Sequence, residues 1–95
     1  MNAVKHNRIR KLILEALSPN YPSPVDTLIV RQTLSNMGYP MANNDLTAYL
    51  AYLNERGFVS VEEKKDYGIT LVAITADGLD VLDGRLDDRG VGIAL

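Results

Sequence analysis

Of the 95 residues in this chain one is a histidine, His6, and none is a cysteine. No carboxylate stands at a spacing from His6 that would orient its imidazole, so general acid–base and nucleophilic catalysis lack their usual parts. Without cysteine there are no disulfides, thiol nucleophiles or zinc-thiolate sites. Asp77, Asp80, Asp83, Asp87 and Asp88 invite a metal reading. Their spacing lacks the alternating ligands and obligatory glycine of a calcium loop, and a solvated acidic face is the simpler account. The seven glycines are scattered and form no phosphate-cradling loop. Neither an enzyme nor a cofactor or metal site is expected.

The chemistry that remains is recognition. Asn44, Thr47, Ala48 and Ala51 share one side of a helical period. An asparagine amide pairs with an adenine edge, a threonine hydroxyl reaches a base or phosphate, and alanines let a helix approach thymine methyls. Lys64 and Lys65 are placed to touch phosphates beside such a helix. Each has a plainer explanation: Asn44 as a helix cap, and the lysines, after Glu62 and Glu63, as half of ordinary cross-strand charge pairs. Ala48, Ala51 and Tyr52 also compose a small apolar patch with an aromatic, as in protein contact surfaces.

These residues need a scaffold, and the apolar pattern supplies one. Leu46, Tyr49, Leu50 and Leu53 recur at i, i+3, i+4 and i+7, one face of a helix. Asn43 or Asn44 caps its start, and Gly57 stands where a left-handed C-terminal cap is needed. The period then changes to that of two strands, residues 58–64 and 69–75, around the turn Lys65-Asp66-Tyr67-Gly68. Upstream, residues 3–17 predict a first helix with Ile9, Leu12, Ile13 and Ala16 inward. Leu14 and Leu17 widen its apolar arc beyond one core stripe, which suggests a homodimer seam through those two leucines. Ser18 to Pro22 reads as a loop. Ser23-Pro24-Val25-Asp26 reads as a helix start, and this second helix runs to about Met37, burying some of Val25, Leu28, Ile29, Leu34 and Met37. Thr75 caps a short fourth helix with Leu79 and Leu82 inward and Gly84 as its stop.

The reading is one α+β, mainly helical domain over residues 1–84, with a loosely ordered tail over 85–95. The order of helices, turn, helix, two-stranded wing and short helix resembles winged helix-turn-helix repressors of the arsenical-resistance and multiple-antibiotic-resistance families. There an aliphatic residue opens the recognition helix, leucines follow at +4 and +7, and a glycine with two apolar residues opens the wing; Leu46, Leu50, Leu53 and Gly57-Phe58-Val59 match. Ile74-Thr75-Ala76-Asp77-Gly78-Leu79 is similar to the Leu-Thr-x-x-Gly that follows the wing. The chain also looks similar to small winged-helix proteins of Mu-like bacteriophages. The resemblance implies a three-helix core, DNA as partner through the third helix, and a habit of dimerising. Two departures stand against it. The turn from Gly38 to Leu46 is about two residues longer than common in such motifs. The outer face of the third helix (Asn44, Thr47, Ala48, Ala51, Tyr52, Glu55) holds no arginine or lysine.

Charge points the same way as the second departure. The net charge is −2, with five basic and two acidic residues in 1–42 against five basic and ten acidic in 43–95. Dedicated nucleic-acid binders are usually basic overall. Double-stranded DNA is the first expectation and a protein partner, met through Ala48, Ala51 and Tyr52, the alternative. No apolar run approaches the roughly 20 residues of a membrane span, and Glu15 interrupts the only stretch that resembles a leader. A cytoplasmic protein is expected.

Overall fold

A computed structural model describes residues 3–86, 88, 90 and 91. The chain runs α1 (Ala3–Leu17), a 3₁₀ turn, β1 (Val25–Asp26), α2 (Thr27–Asn36), α3 (Asn43–Glu55), β2 (Val59–Lys64), a 3₁₀ turn, β3 (Ile69–Ile74) and α4 (Ala76–Leu82). Four helices pack against an antiparallel sheet of order β1-β3-β2.

The boundaries of α2, α3 and α4 repeat one device. After α3, Gly57 takes φ +80 and donates to Asn54 O, while Phe58 N reaches back to Leu53 O at 2.9 Å. This double bond with a left-handed residue between is a Schellman motif. Buried Leu53 and Phe58 supply its apolar contact. Gly38-Tyr39 after α2 and Gly84-Arg85 after α4 make the same pair of bonds. At α3 the cap delivers the chain straight into β2, so the helix and the hairpin are held at a fixed angle.

β2 and β3 pair from Val59↔Ile74 through Val61↔Val72 to Lys64↔Ile69. Lys65 to Tyr67 forms the tip, and Gly68, at φ +65, closes it. Burial falls along the hairpin: Val59 is 2% exposed, Val61 37%. Its root belongs to the core and its tip projects, as a wing should. The expected two-stranded sheet gains a third member, because Val25 and Asp26 pair with Val72 and Leu71. Val25 and Asp26 are therefore strand, not the start of α2. The N-cap is Asp26, whose carboxylate accepts from Leu28 N at 2.9 Å.

The core lies between α1, α2, α3 and the inner side of β3, with Ile13, Leu14, Leu34, Leu46, Leu53 and Val72 at its centre. Two expectations about facing are corrected here. On α2 the inward residues are Val30 and Leu34, and Leu28, Ile29 and Met37 are 60%, 55% and 46% exposed. On α1, Leu14 is 0% and Leu17 1% exposed. The chain's own core fills both sides of that wide arc, since α1 packs on α2, β3 and α4 at once. The arc that suggested a seam through Leu14 and Leu17 is accounted for within one subunit.

The tail begins with the α4 cap. Among its described residues Asp88 pairs with Arg56, Gly90 is buried against Tyr52, and Val91 packs on the core. Residues 87, 89 and 92–95 of the expected loose tail lie outside the described residues.

Candidate nucleic-acid interface

With Leu46, Leu50 and Leu53 turned into the core, the opposite side of α3 carries Asn44, Thr47, Ala48, Ala51 and Glu55, all exposed. The facing is as the period predicts. The cap is not. Ala42 is the N-cap, with no side-chain capping bond, and both Asn43 and Asn44 lie in the first helical turn. Asn44 therefore presents its amide at the mouth of the helix and has no capping duty. Thr47 Oγ1 donates to Asn43 O at 2.9 Å, so its hydroxyl proton is used inside the helix and its methyl and lone pairs face outward. Asp45 sits in the same turn, where the helix dipole favours a carboxylate; toward a phosphate it is repulsive.

The wing contributes less positive charge than its lysines suggest. Lys64 Nζ lies 3.1 Å from Glu62 Oε2 in an exposed pair, and such pairs are weak and screened by salt. Lys65 is exposed in the tip turn beside exposed Asp66. A phosphate would find Lys65 first, and Lys64 on displacing Glu62.

Between this wing and the helices runs a cleft of about 600 Å³ lined by Leu28, Arg31, Thr47, Ala51, Val61 and Ile69, among others. It adds Arg31, a residue the sequence did not single out. Arg31 stands on α2, the helix that in helix-turn-helix proteins crosses the backbone, and shares the lining of the cleft with Asn43 and Thr47. A signal was there, since a cation one turn after the α2 cap and beside inward Val30 flanks α3. The misread facing of α2 hid it.

Tyr52 is engaged within the chain. It is half-buried, with the Arg10 guanidinium 3.7 Å and the Arg56 guanidinium 4.7 Å from its ring centre. Arg56 is in turn bound to Asp88 at 2.6 Å, and Arg10 donates to Gly90 O at 3.0 Å. The tail and two arginines thus cover the aromatic that was expected to greet a partner, leaving Ala48 and Ala51 as the exposed remainder of that patch.

On the flank of α3 nearest α1, the Tyr49 hydroxyl and His6 Nδ1 share a hydrogen bond, with ring centres 5.6 Å apart. Burial pushes the Tyr49 phenol above the ordinary tyrosine range, with Arg10 opposing and Asp45 adding to the shift. A phenol raised in the folded state contributes stability that is fully present below its unfolded value, about 10. That stability is lost as pH rises through the folded value. Urea titrations of the wild type should therefore show stability declining above pH about 10, and Tyr49→Phe should decline less steeply over the same range. Identical pH slopes would count against a buried phenol here.

No helix among the described residues is long and apolar enough to cross a membrane, and no group of three or more potential metal-ligating side chains gathers among them. No family model matches the chain, and no curated protein matches it in sequence. Among solved structures it is similar to RosR of H. salinarum, with a TM-score of 0.65 and 20% sequence identity, over 80% of this chain and 66% of that one. The chain thus spans just under two thirds of RosR's length. With α3 following α2 across a turn, a Schellman cap feeding the hairpin, and this likeness, the chain has a winged helix-turn-helix fold.

Proposed function

We propose that the chain is a DNA-binding transcriptional regulator that sets α3 in the major groove and its β2–β3 hairpin against the neighbouring backbone. One observation carries the reading: the side of α3 bearing Asn44, Thr47, Ala48 and Ala51 is exposed and spared by the chain's own packing. These side chains are short, so the helix can approach base edges closely. The wing leaves from the C-terminal end of α3 through the Gly57 cap; Arg31 lines the cleft with Thr47 and Ala51, and Lys64 and Lys65 stand at the wing tip. Asn44 is the residue for direct readout; Lys64 and Lys65 position the protein on phosphates. The alternative, a protein-interaction module, loses its anchor with the covering of Tyr52.

Few cations make the interaction weakly salt-dependent. Each neutralised phosphate contributes a slope of about 0.9 in log K against log salt, so two to four contacts imply roughly −2 to −4 per subunit. A fluorescence-anisotropy titration of labelled duplex at low and higher salt measures this. Lys64→Ala with Lys65→Ala should weaken binding to all sequences alike and flatten the slope by about 1–2. Asn44→Ala should cost about 1–3 kcal/mol at a single base position and leave the slope unchanged. Folded protein with no duplex binding at low salt would falsify the proposal.

A further inference from the structure

The cleft between the wing and the helices leaves apolar surface in water. Leu28, Val61 and Ile69 all line it, and all three are exposed. Tyr67 stands at the wing tip, next in sequence to the lining residues Gly68 and Ile69. At 78% it is the most exposed large hydrophobic side chain among the described residues. Single exposed apolar residues are ordinary on a surface. A cluster of them in and beside one concavity marks a contact site, and tyrosine is enriched at the centre of such sites. Phosphate contacts would leave these side chains wet.

The charges divide between cleft and tip in complementary pairs. Side chains alternate along β2, so Val61 and Glu63 share the side that buried Val59 turns inward, and both line the cleft. Arg31 lines it from α2. At the tip, Lys65 and Asp66 directly precede Tyr67. None of Arg31, Glu63, Lys65 and Asp66 has an ion pair among the described residues. Asp26, the other acid of the lining, already holds the α2 cap. Asp66 thus matches Arg31, and Lys65 matches Glu63. Gly68 and Ile69 make the tip the rim of its own cleft, so it cannot fill that cleft itself. The tip of a second copy can.

We infer that the wing tip of one copy docks in the cleft of another, with Tyr67 against Leu28, Val61 and Ile69 and with Asp66–Arg31 and Lys65–Glu63 pairs formed between the copies. Knob and socket adjoin, so a two-fold axis beside Ile69 makes the contact reciprocal and closed; a distant knob and socket would give an open chain of copies. Thr47 and Ala51 line the same cleft. The pair therefore hides the exposed side of α3, unlike an assembly that sets two such helices on a duplex. It stands whether or not α3 meets DNA, so its test uses no duplex.

Sedimentation velocity of the full chain, from micromolar to near-millimolar concentration, should show a monomer–dimer equilibrium. Over that range ¹H–¹⁵N amide shifts should move at residues 28–31, 61–63 and 65–69 and stay still at 9–17. Tyr67→Ser should weaken the dimer at least about tenfold, the loss of a central aromatic from each copy. Asp66→Arg and Arg31→Asp should each weaken it about threefold or more, since like charges then meet near the surface, and the doubly substituted chain should recover. Asp66→Arg with Arg8→Asp has the same net charge as that double variant and should not recover, while circular dichroism shows each chain folded. The specific recovery is the decisive readout, because neither lost folding nor altered net charge produces it. A monomer throughout, an open series of larger species, a dimer that Tyr67→Ser leaves unchanged, or no recovery in the Asp66→Arg, Arg31→Asp chain overturns the inference.

Discussion

Leu14→Glu leaves the domain unfolded, and Leu14→Ala lowers its unfolding free energy by about 2–5 kcal/mol, the range for truncating a buried leucine. Leu14 is 0% exposed, within a core that includes Ile13, Leu17 and Leu34. Burying a carboxylic group there, which must take up a proton, together with losing the leucine's packing costs most of the roughly 5–15 kcal/mol that holds a domain together. A leucine on a subunit seam behaves differently: its charged variant gives a folded monomer. Circular dichroism separates the two outcomes at once, and a native spectrum for Leu14→Glu would return the side chain to the surface. Glu55→Ala, on the exposed side of α3, is the matched control and should stay within about 0.5 kcal/mol.

Gly78→Ala destabilises the fold even though it places a good helix former inside α4. Helix propensity alone favours the change by about 0.5–1 kcal/mol. The added Cβ, however, would lie 2.3 Å from Phe58 O and 2.7 Å from Ile74 Cγ1. The first neighbour is backbone, and it is held in place, because Phe58 O accepts from Thr75 N at 3.0 Å. Thr75 ties the junction further: its hydroxyl donates to Gly57 O at 2.6 Å and accepts from Gly78 N. Relief requires moving α4 off the root of the wing, and overpacking of this kind costs about 1–3 kcal/mol net, sometimes more. Urea denaturation of Gly78→Ala beside Ala76→Gly reads the balance. A stabilised Gly78→Ala would mean that α4 does not approach β2 this closely.

That junction also explains a motif. The threonine and glycine of Ile74-Thr75-Ala76-Asp77-Gly78 serve one contact, the hydroxyl clamping and the missing side chain making room. Such residues are legible in sequence because local geometry dictates them. The same holds for α3 and its wing, where the Leu46-Leu50-Leu53 period stops at a glycine. β1 was not legible: two residues carry no period, and the partners that make Val25 and Asp26 a strand stand in β3. Leu28 and Ile29 misled in the opposite direction, being apolar yet exposed while Val30 and Leu34 are inward. Hydropathy assigns α2 a face only after its neighbours are known. For the candidate site, the exposed face of α3 was readable from the leucine stripe opposite it. The covering of Tyr52 and the engagement of Arg56 were not, because both depend on tail residues about 32 or more positions away, the separation of Arg56 from Asp88.

The sheet behaves mechanically as a cantilever. β3 is flanked on both edges at Leu71 and Val72, by Asp26 and Val25 on one side and by Glu62 and Val61 on the other, and its root at Ile74 lies in the core. Beyond Leu71 one flank is bare, and the last pairs toward Lys64↔Ile69 hang from β2 alone. Amide protons at the root should exchange on the timescale of global opening and those at the tip far sooner, since protection follows the number of contacts that must break together. The wing is thus clamped at its base and compliant at its end, and its tip can follow an irregular surface while α3 stays where the core has set it.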